Sequence, residues 1–279
     1  MTTTLRPTGP IQQGADGART RAYDVCDNGR PVGAVEIGTE PGSGGTTGTI
    51  RGLRIDEPNR RRGRGTIAGL AAEEVLRGWG CSRLTVEVEP DNTAGLRLAA
   101  ALGYTERSRN MVKDLPQTPP VLPDGVTGRS MTEDEFAQWE SRAVAEYAET
   151  FVARGVPAGD ALRRAEASHR KHLPDGLATE GAHIRVLVDG DGRTVGHVWV
   201  ARFEMHPGVV VGYVFDVEVL EVFRGRGYGR ALMLEAERIA LAAGDERMGL
   251  HVLSDNTPAV RLYESLGYEA TRHNLVKPL

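Results

Sequence analysis

Asp91-Asn-Thr-Ala-Gly-Leu-Arg-Leu-Ala-Ala-Ala-Leu-Gly-Tyr104 and Asp255-Asn-Thr-Pro-Ala-Val-Arg-Leu-Tyr-Glu-Ser-Leu-Gly-Tyr268 are one segment written twice. An ungapped offset of 164 positions also sets Arg60 under Arg224, Gly63 under Gly227 and Gly65 under Gly229. At the same offset Asn110, Val112, Lys113 and Leu115 recur as Asn274, Val276, Lys277 and Leu279. Such self-similarity means two copies of one supersecondary unit, and it fixes the architecture before any single element is read. Pro116-Gln-Thr-Pro-Pro120 is rich in proline, which gives a sheet no donors and favours extended chain. The expected organisation is therefore a first repeat at 1–115, a linker at 116–120 and a second repeat at 121–279.

The repeats differ ahead of their matched strands, which begin at Ile50 and Val214. The second carries extra helical sequence: Thr132-Glu-Asp-Glu135 has the form of a capping box before a run through Trp139, Val144 and Tyr147. Another charged helical stretch covers about Ala158 to His172. The first repeat shows instead two strands, Thr20 to Cys26 and Val32 to Ile37, joined by the turn Asp27-Asn-Gly29.

In the second repeat Val195 to Phe203 and Val209 to Val219 read as strands. On the latter, Val211, Tyr213, Phe215, Val217 and Val219 share one parity, which leaves Asp216 and Glu218 on the other face unless a bulge intervenes. Arg224-Gly-Arg-Gly-Tyr-Gly-Arg230 follows, then a helix with the stripe Leu232, Ala236, Ile239, Ala243 that Gly244 is placed to end. A strand at Met248 to Leu253 leads to a helix after Asn256-Thr-Pro258, where proline suits the first turn. The unit reads strand, glycine loop, helix, strand, helix, strand.

Composition sets the outer limits. A net charge of −4 argues against a chain whose overall field recruits nucleic acid or anionic membrane. With 40% hydrophobic and 26% charged residues the chain has enough apolar material for sizeable cores. No apolar run approaches the ~18 residues of a membrane span, and Met1-Thr-Thr-Thr-Leu5 lacks the apolar region of a secretory signal, which makes the cytoplasm the default compartment. Cys26 and Cys81 fit no zinc or redox spacing and read as packing residues, and no metal site is expected.

A glycine loop between a strand and a helix start converges backbone N–H groups on one anion, and the helix terminus adds its partial positive charge. With Arg224, Arg226 and Arg230 beside it, this is a seat for a pyrophosphate. Neither repeat contains the Gly-Lys-Ser/Thr ending of a Walker A loop. Gly63-Arg-Gly65-Thr-Ile-Ala68 fits a dinucleotide fingerprint, with Glu87 about 20 residues on, but the second repeat has Arg230 at the sixth position, where bulk opposes close helix–strand packing. The basic run Arg60-Arg-Arg-Gly-Arg64 has no interleaved aromatic residues for stacking on bases and coincides with the phosphate loop.

The order Val217-x-Val219, Arg224-x-x-Gly227-x-Gly229, Asn256 and Leu262-Tyr-Glu-Ser-Leu-Gly-Tyr268 resembles the GNAT superfamily of acyl-CoA-dependent N-acyltransferases, from about Val195 to Leu279 and more weakly from Ile50 to Leu115. The resemblance implies an α/β chain of tandem folds, each a splayed mixed β-sheet flanked by helices, the N-terminal copy truncated. It implies acetyl-CoA as cosubstrate, its pyrophosphate on the amides of Arg224, Gly225, Arg226, Gly227, Tyr228, Gly229 and Arg230 and its pantetheine beside Val217 and Val219, with Asn256 at the same site. A helical pair near the acceptor amine is a role for Thr132 to His172. Direct transfer then needs a base for the amine proton, an oxyanion donor near Val217 and an acid for the departing thiolate. Tyr263 stands at the family's acid position. Glu218 and His251 are candidate bases, with Asp216 third; histidine accepts a proton near neutrality without a large pKa shift.

At the repeat offset Tyr263 becomes Ala99, Glu218 becomes Arg54 and His251 becomes Glu87, so the first repeat is expected to be catalytically silent. The expected function is N-acetyl transfer to a small-molecule or peptide amine by the second repeat, without nucleic-acid or membrane partners. A non-catalytic acyl-CoA-binding module and a dinucleotide-dependent enzyme are the alternatives. A tandem can satisfy internally an interface that single-repeat relatives make as dimers, which favours a monomer.

Overall fold

Asn28 and Gly29 both take positive φ, 47° and 79°, as a two-residue type I′ hairpin requires, and the turn pairs Asp27 with Arg30. The computed structural model describes residues 2–40, 45–153, 155–206 and 208–279, the His206 side chain aside. Its first elements are β1 (Thr3–Pro7), β2 (Gln12–Gln13), β3 (Arg19–Asp27), β4 (Arg30–Glu40) and β5 (Thr46–Ile55). They continue with α1 (Arg64–Gly78), β6 (Cys81–Val88), α2 (Thr93–Ala101) and β7 (Thr105–Asp114). The later part of the chain holds β8 (Thr127–Ser130), α3 (Glu133–Val152), α4 (Ala158–His172), β9 (Ala182–Val188), β10 (Thr194–His206) and β11 (Val209–Val219). It closes with α5 (Tyr228–Ala242), β12 (Arg247–Leu253), α6 (Thr257–Ser265) and β13 (Glu269–Pro278). The strands β1, β2, β8 and β9 lay outside the elements read from sequence. No helix among the described residues is long and apolar enough to cross a membrane.

The chain divides into two units, Met1–Ser108 with Arg272–Leu279, and Arg109–Thr271. In the first, β1, β3, β4 and β5 are antiparallel neighbours, β6 joins β5 in parallel, and residues 273–278 run antiparallel to β6. In the second, β8, β9, β10 and β11 are antiparallel neighbours, β12 joins β11 in parallel, and β7 lies next to β12. Each unit is thus a mixed sheet with the same order.

These units differ from the expected boundaries, 1–115 and 121–279, at the last strand of each repeat, and each exchanged strand carries a buried ion pair with it. Glu237, 1% exposed on α5, is paired with Lys113 Nζ at 2.7 Å, and Lys113 also lies 5.7 Å from the Tyr268 ring. At the repeat offset Glu73 on α1 is paired with Lys277 Nζ at 2.6 Å, and Lys277 lies 5.6 Å from the Tyr104 ring. In each unit a helix buries a carboxylate, and its cation arrives on the strand that sequence assigns to the other repeat. A buried charge without its partner is strongly unfavourable, so each exchanged strand brings the cation that its new sheet needs.

The helical pair of the second repeat begins as its sequence indicates. Thr132 Oγ1 accepts from Glu135 N at 3.3 Å, and Glu135 Oε2 accepts from Thr132 N at 2.9 Å, a complete capping box. Hydrogen bonds from Arg129 hold the Glu135 carboxyl down at about 2, with burial opposing and the Thr132 amide assisting. Leu232, Ala236 and Ile239 of α5 are buried on the sheet, but Ala243 is the exposed helix cap, so the stripe ends one turn earlier than expected. Gly244 follows with φ 80°. Both cysteines are buried and unbonded.

Candidate active site

The site is built on β11. Its pairing with β10 shifts register between Trp199 and Val200, opposite Asp216 and Val214, which leaves Phe215 as the extra residue of a β-bulge. The bulge overturns the single parity expected for this strand. Val214, Val217 and Val219 face the core under α5, whereas Tyr213, Phe215 and Asp216 line a cavity on the opposite side. A bulge turns two successive side chains toward one face, so an aromatic ring and a carboxylate share that cavity.

The same point opens the sheet. The parallel pairing of β11 and β12 runs from Gly212 with Met248 to Val214 with Leu250 and stops. Beyond it, Asp216 and His251 line the cavity together. In the first unit the equivalent pairing of β5 and β6 ends at Thr49 with Thr85, so the opening is built into the repeat.

At the far end of β11 the glycine loop takes the form expected of it. Gly225 and Gly227 have φ 77° and 85°, and a Cβ added to either meets nothing within 4 Å. Gly227 caps α5, whose first bonds run from the amides of Arg230 and Ala231 to Gly227 O, leaving the preceding amides as helix-terminal donors. Arg224 Nε donates to Val219 O at 3.1 Å, Arg230 donates to Ser265 Oγ at 2.6 Å, and Arg226 lies 5.8 Å from the Phe223 ring. A second cavity, of about 430 Å³, is lined by Arg226, Gly227, Tyr228 and Arg230, with Arg193 facing them among Asp124, Asp189 and Asp191. The open amides and the adjoining space, with Arg226 and Arg230 in its wall, fit a diphosphate. Asn256, expected at the cofactor, caps α6, its Oδ1 accepting from Ala259 N at 3.3 Å.

Tyr263, on α6, is 7% exposed and packs in the cluster that contains Val217, Val219 and Leu262, its ring 6.0 Å from that of Tyr268. Burial, aided by the charge of Asp216, pushes its hydroxyl up to about 12. The structure therefore separates the expected residues into two sets. Tyr263 belongs with Val217 and Val219 on the core side of the opening, and His251 lines the cavity on the other side. Glu218 lies between the cavity and the loop, 3.9 Å from both His197 and Arg224.

His197 was not singled out in the sequence. It is buried on β10, opposite Glu218 in register, and its Nε2 lies 2.8 Å from Asp216 Oδ2. Trp139 Nε1 on α3 donates to the same oxygen at 3.0 Å. Burial would raise the Asp216 carboxyl, but the bonds from His197 and Trp139 and the nearby Val217 amide outweigh it and hold the group below the ordinary carboxylate value. Asp216 is therefore an anion at neutral pH, which suits an anchor for a cation better than a base. The Val217 amide, expected near an oxyanion, faces this carboxylate. The alternation His197, Trp199 along a strand of buried valines was the available signal, legible once Asp216 and Glu218 lay opposite.

The cavity lined by Asp216 and His251 has a volume of about 570 Å³. Residues of α3 and α4, among them Trp139, Tyr147, His169 and His172, form one wall, and Trp199, Phe203, Tyr213 and Phe215 form the other. The helices that the first repeat lacks thus cover one face of the sheet opening. In the first unit Ala99 is a buried small residue, and Glu87 is paired with Arg272 at 2.5 Å.

The comparisons with known proteins point the same way. The family model described as Acetyltransferase (GNAT) family matches residues 6–104 and again 136–268, once in each repeat. A mycothiol acetyltransferase of Thermomonospora curvata is 29% identical over 259 residues, covering 90% of this chain and 79% of the relative. An uncharacterized N-acetyltransferase of Bacillus subtilis, YdgE, is 26% identical over 154 residues, which is 55% of this chain and 98% of that protein. Among solved structures, a GCN5-related N-acetyltransferase from Sphaerobacter thermophilus superposes with a TM-score of 0.56 at 23% identity, covering 92% of this chain and 80% of that one. With both repeats matched over most of the chain and the sheet opening and glycine loop in place, the protein belongs to the GNAT acetyltransferase family as a tandem member.

Proposed function

We infer that the second repeat transfers an acetyl group from acetyl-CoA to a primary amine, and that the first repeat is catalytically silent. The observation that carries this reading is the opening beyond Val214 and Leu250, with an open glycine loop at one end, a buried tyrosine on one side and an acidic, aromatic cavity on the other. Bound acetyl-CoA supplies the acetyl group as an activated thioester. The amides and arginines from Arg224 to Arg230 hold its diphosphate, and Val217 and Val219 flank its arm.

The chain's own residues then manage protons. Asp216 draws the cationic amine into the cavity, and His251, which lines the same cavity, takes the proton that the amine must lose before it attacks. Glu218 acts on this exchange through His197, which it approaches at 3.9 Å and which is itself fixed by Asp216. Tyr263 is protonated at neutral pH and donates to the departing sulfur. The silence of the first repeat is supported by Ala99, Arg54 and Glu87 at the positions of Tyr263, Glu218 and His251.

Calorimetric titration of acetyl-CoA into the wild type, Arg60→Ala and Gly227→Trp tests this reading. Gly227 has φ 85°, where a side chain is strained and projects into the loop's open space, so Gly227→Trp is expected to abolish binding. Arg60 Nε donates to Ile55 O at 2.7 Å, the counterpart of Arg224 on Val219, and Arg60→Ala is expected to retain binding. Unchanged circular dichroism in both variants separates lost binding from lost fold. No binding to wild type, or loss only in Arg60→Ala, overturns the assignment.

A further inference from the structure

The walls of the 570 Å³ cavity narrow the acceptor, given that the second repeat acetylates amines. Trp199 and Phe215 stack with ring centroids 4.7 Å apart and planes 22° from parallel. Tyr213 continues this surface at 5.1 Å from Phe215, and Phe203 meets Tyr213 at 4.9 Å. From α4, the His172 ring lies 5.0 Å from Phe215. The result is a continuous π surface contributed by two strands and a helix, in the volume range of roughly 300–1,000 Å³ common to small-molecule sites.

The charges in this cavity are of one sign. No lysine or arginine is among its described lining residues, while Asp216 and the exposed Glu146 are. Burial lowers both His169 and His172, and Lys171 lowers His172 further, so these imidazoles are neutral at pH 7. Asp216 keeps 37% of its side-chain surface accessible, although protein packs closely around it; the accessible part belongs to the cavity wall. One anion is thus set into an aromatic enclosure.

We propose that the acceptor is a primary arylalkylamine without a carboxylate, its ring against Phe215 and Tyr213, which the buried Trp199 backs, and its cationic nitrogen at Asp216. Ring-on-ring contact adds to the gain from area burial, and an ammonium on a carboxylate makes a charge-assisted hydrogen bond. An amino acid brings a second anion with no cation to receive it. A sugar amine buries hydroxyls against aromatic carbon, where unpaired polar groups are costly. In the reaction the amine nitrogen bonds to the acetyl carbonyl carbon as the carbon–sulfur bond breaks. Both protons that the ammonium sheds pass through His251 to solvent, while Tyr263 gives its proton to the departing thiolate and regains one from solvent, so one proton is released per turnover.

The full-length protein, titrated with phenethylamine, phenylalanine and glucosamine, provides the test. Binding is read from quenching of tryptophan fluorescence, Trp139 and Trp199 being in the wall, and turnover from free thiol released by acetyl-CoA. Phenethylamine is expected to bind and to show kcat/KM at least about tenfold above the other two, a difference worth ~1.4 kcal/mol. Phe215→Leu, which keeps an apolar side chain, is expected to raise KM for phenethylamine severalfold with acetyl-CoA affinity unchanged. Preference for glucosamine or phenylalanine, no binding of phenethylamine, or an equal effect of Phe215→Leu on all three amines overturns the proposal. Binding of phenethylamine without thiol release from any amine supports the aromatic amine site and overturns the acetyl-transfer reading instead.

Discussion

Replacing Tyr263 by phenylalanine is expected to lower kcat by about 10²–10⁴-fold, the span of a general acid or base, while leaving the affinity for acetyl-CoA unchanged. The substitution is close to a single-atom experiment. Tyr263 is 7% exposed, and its ring packs with Val217, Val219 and Tyr268, contacts that phenylalanine keeps. What is lost is a proton that burial and the Asp216 charge hold on the oxygen up to about 12. A thiolate released into the same apolar surroundings is raised by the same desolvation, which makes it a suitable acceptor for that proton. Steady-state kinetics with free-thiol detection, alongside calorimetry, separates chemistry from binding. If kcat stays within twofold, Tyr263 only packs α6 onto the sheet and the acid must be sought elsewhere.

The second large effect concerns folding. Lys113→Met is expected to destabilise the protein by about 3–5 kcal/mol, because it leaves a buried carboxylate without its cation. Glu237 is 1% exposed and Lys113 Nζ is 2.7 Å from it. Against a typical total of ~5–15 kcal/mol, that is a large share of the stability of a domain. The double variant Lys113→Met with Glu237→Met is expected to recover most of the loss, since an apolar pair of similar volume is often as stable as the buried ion pair it replaces. Urea unfolding of the full chain, followed by far-UV circular dichroism, gives the comparison. A single variant as stable as wild type, or a double variant no better than the single, means the pair does not secure the strand. The same chemistry bears on dissection of the repeats: a fragment starting at Val121 lacks Lys113.

Sequence and structure divide the explanation along a physical line. The repeat, the glycine loop and the capping box at Thr132 were legible because each depends on neighbours close along the chain. Turn residues, caps and helix stripes are local, and the offset of 164 positions made the signals of the shared unit count twice. Tyr263, Glu218 and His251 came from the family resemblance, and the fold brings them around one opening without making them a single cluster.

What only the tertiary structure decided depends on pairing across long separations. The register between Asp216 and Trp199 sets the bulge at Phe215, and a one-residue insertion reverses which side chains face the core. Period-two parity along β11 therefore could not tell that Phe215 and Asp216 share a cavity while Val217 and Val219 turn away. His197 acquired meaning only when β10 set it beside Asp216 at 2.8 Å. The last strands are the clearest case: Lys113 and Lys277 are equivalent in sequence, and nothing local says which buried glutamate each will meet. The amino-acid sequence determined the repeated unit and the chemistry it carries; three-dimensional packing chose the partner strand, because equivalent lysines satisfy either buried glutamate and only contacts between residues far apart in the chain distinguish the two arrangements.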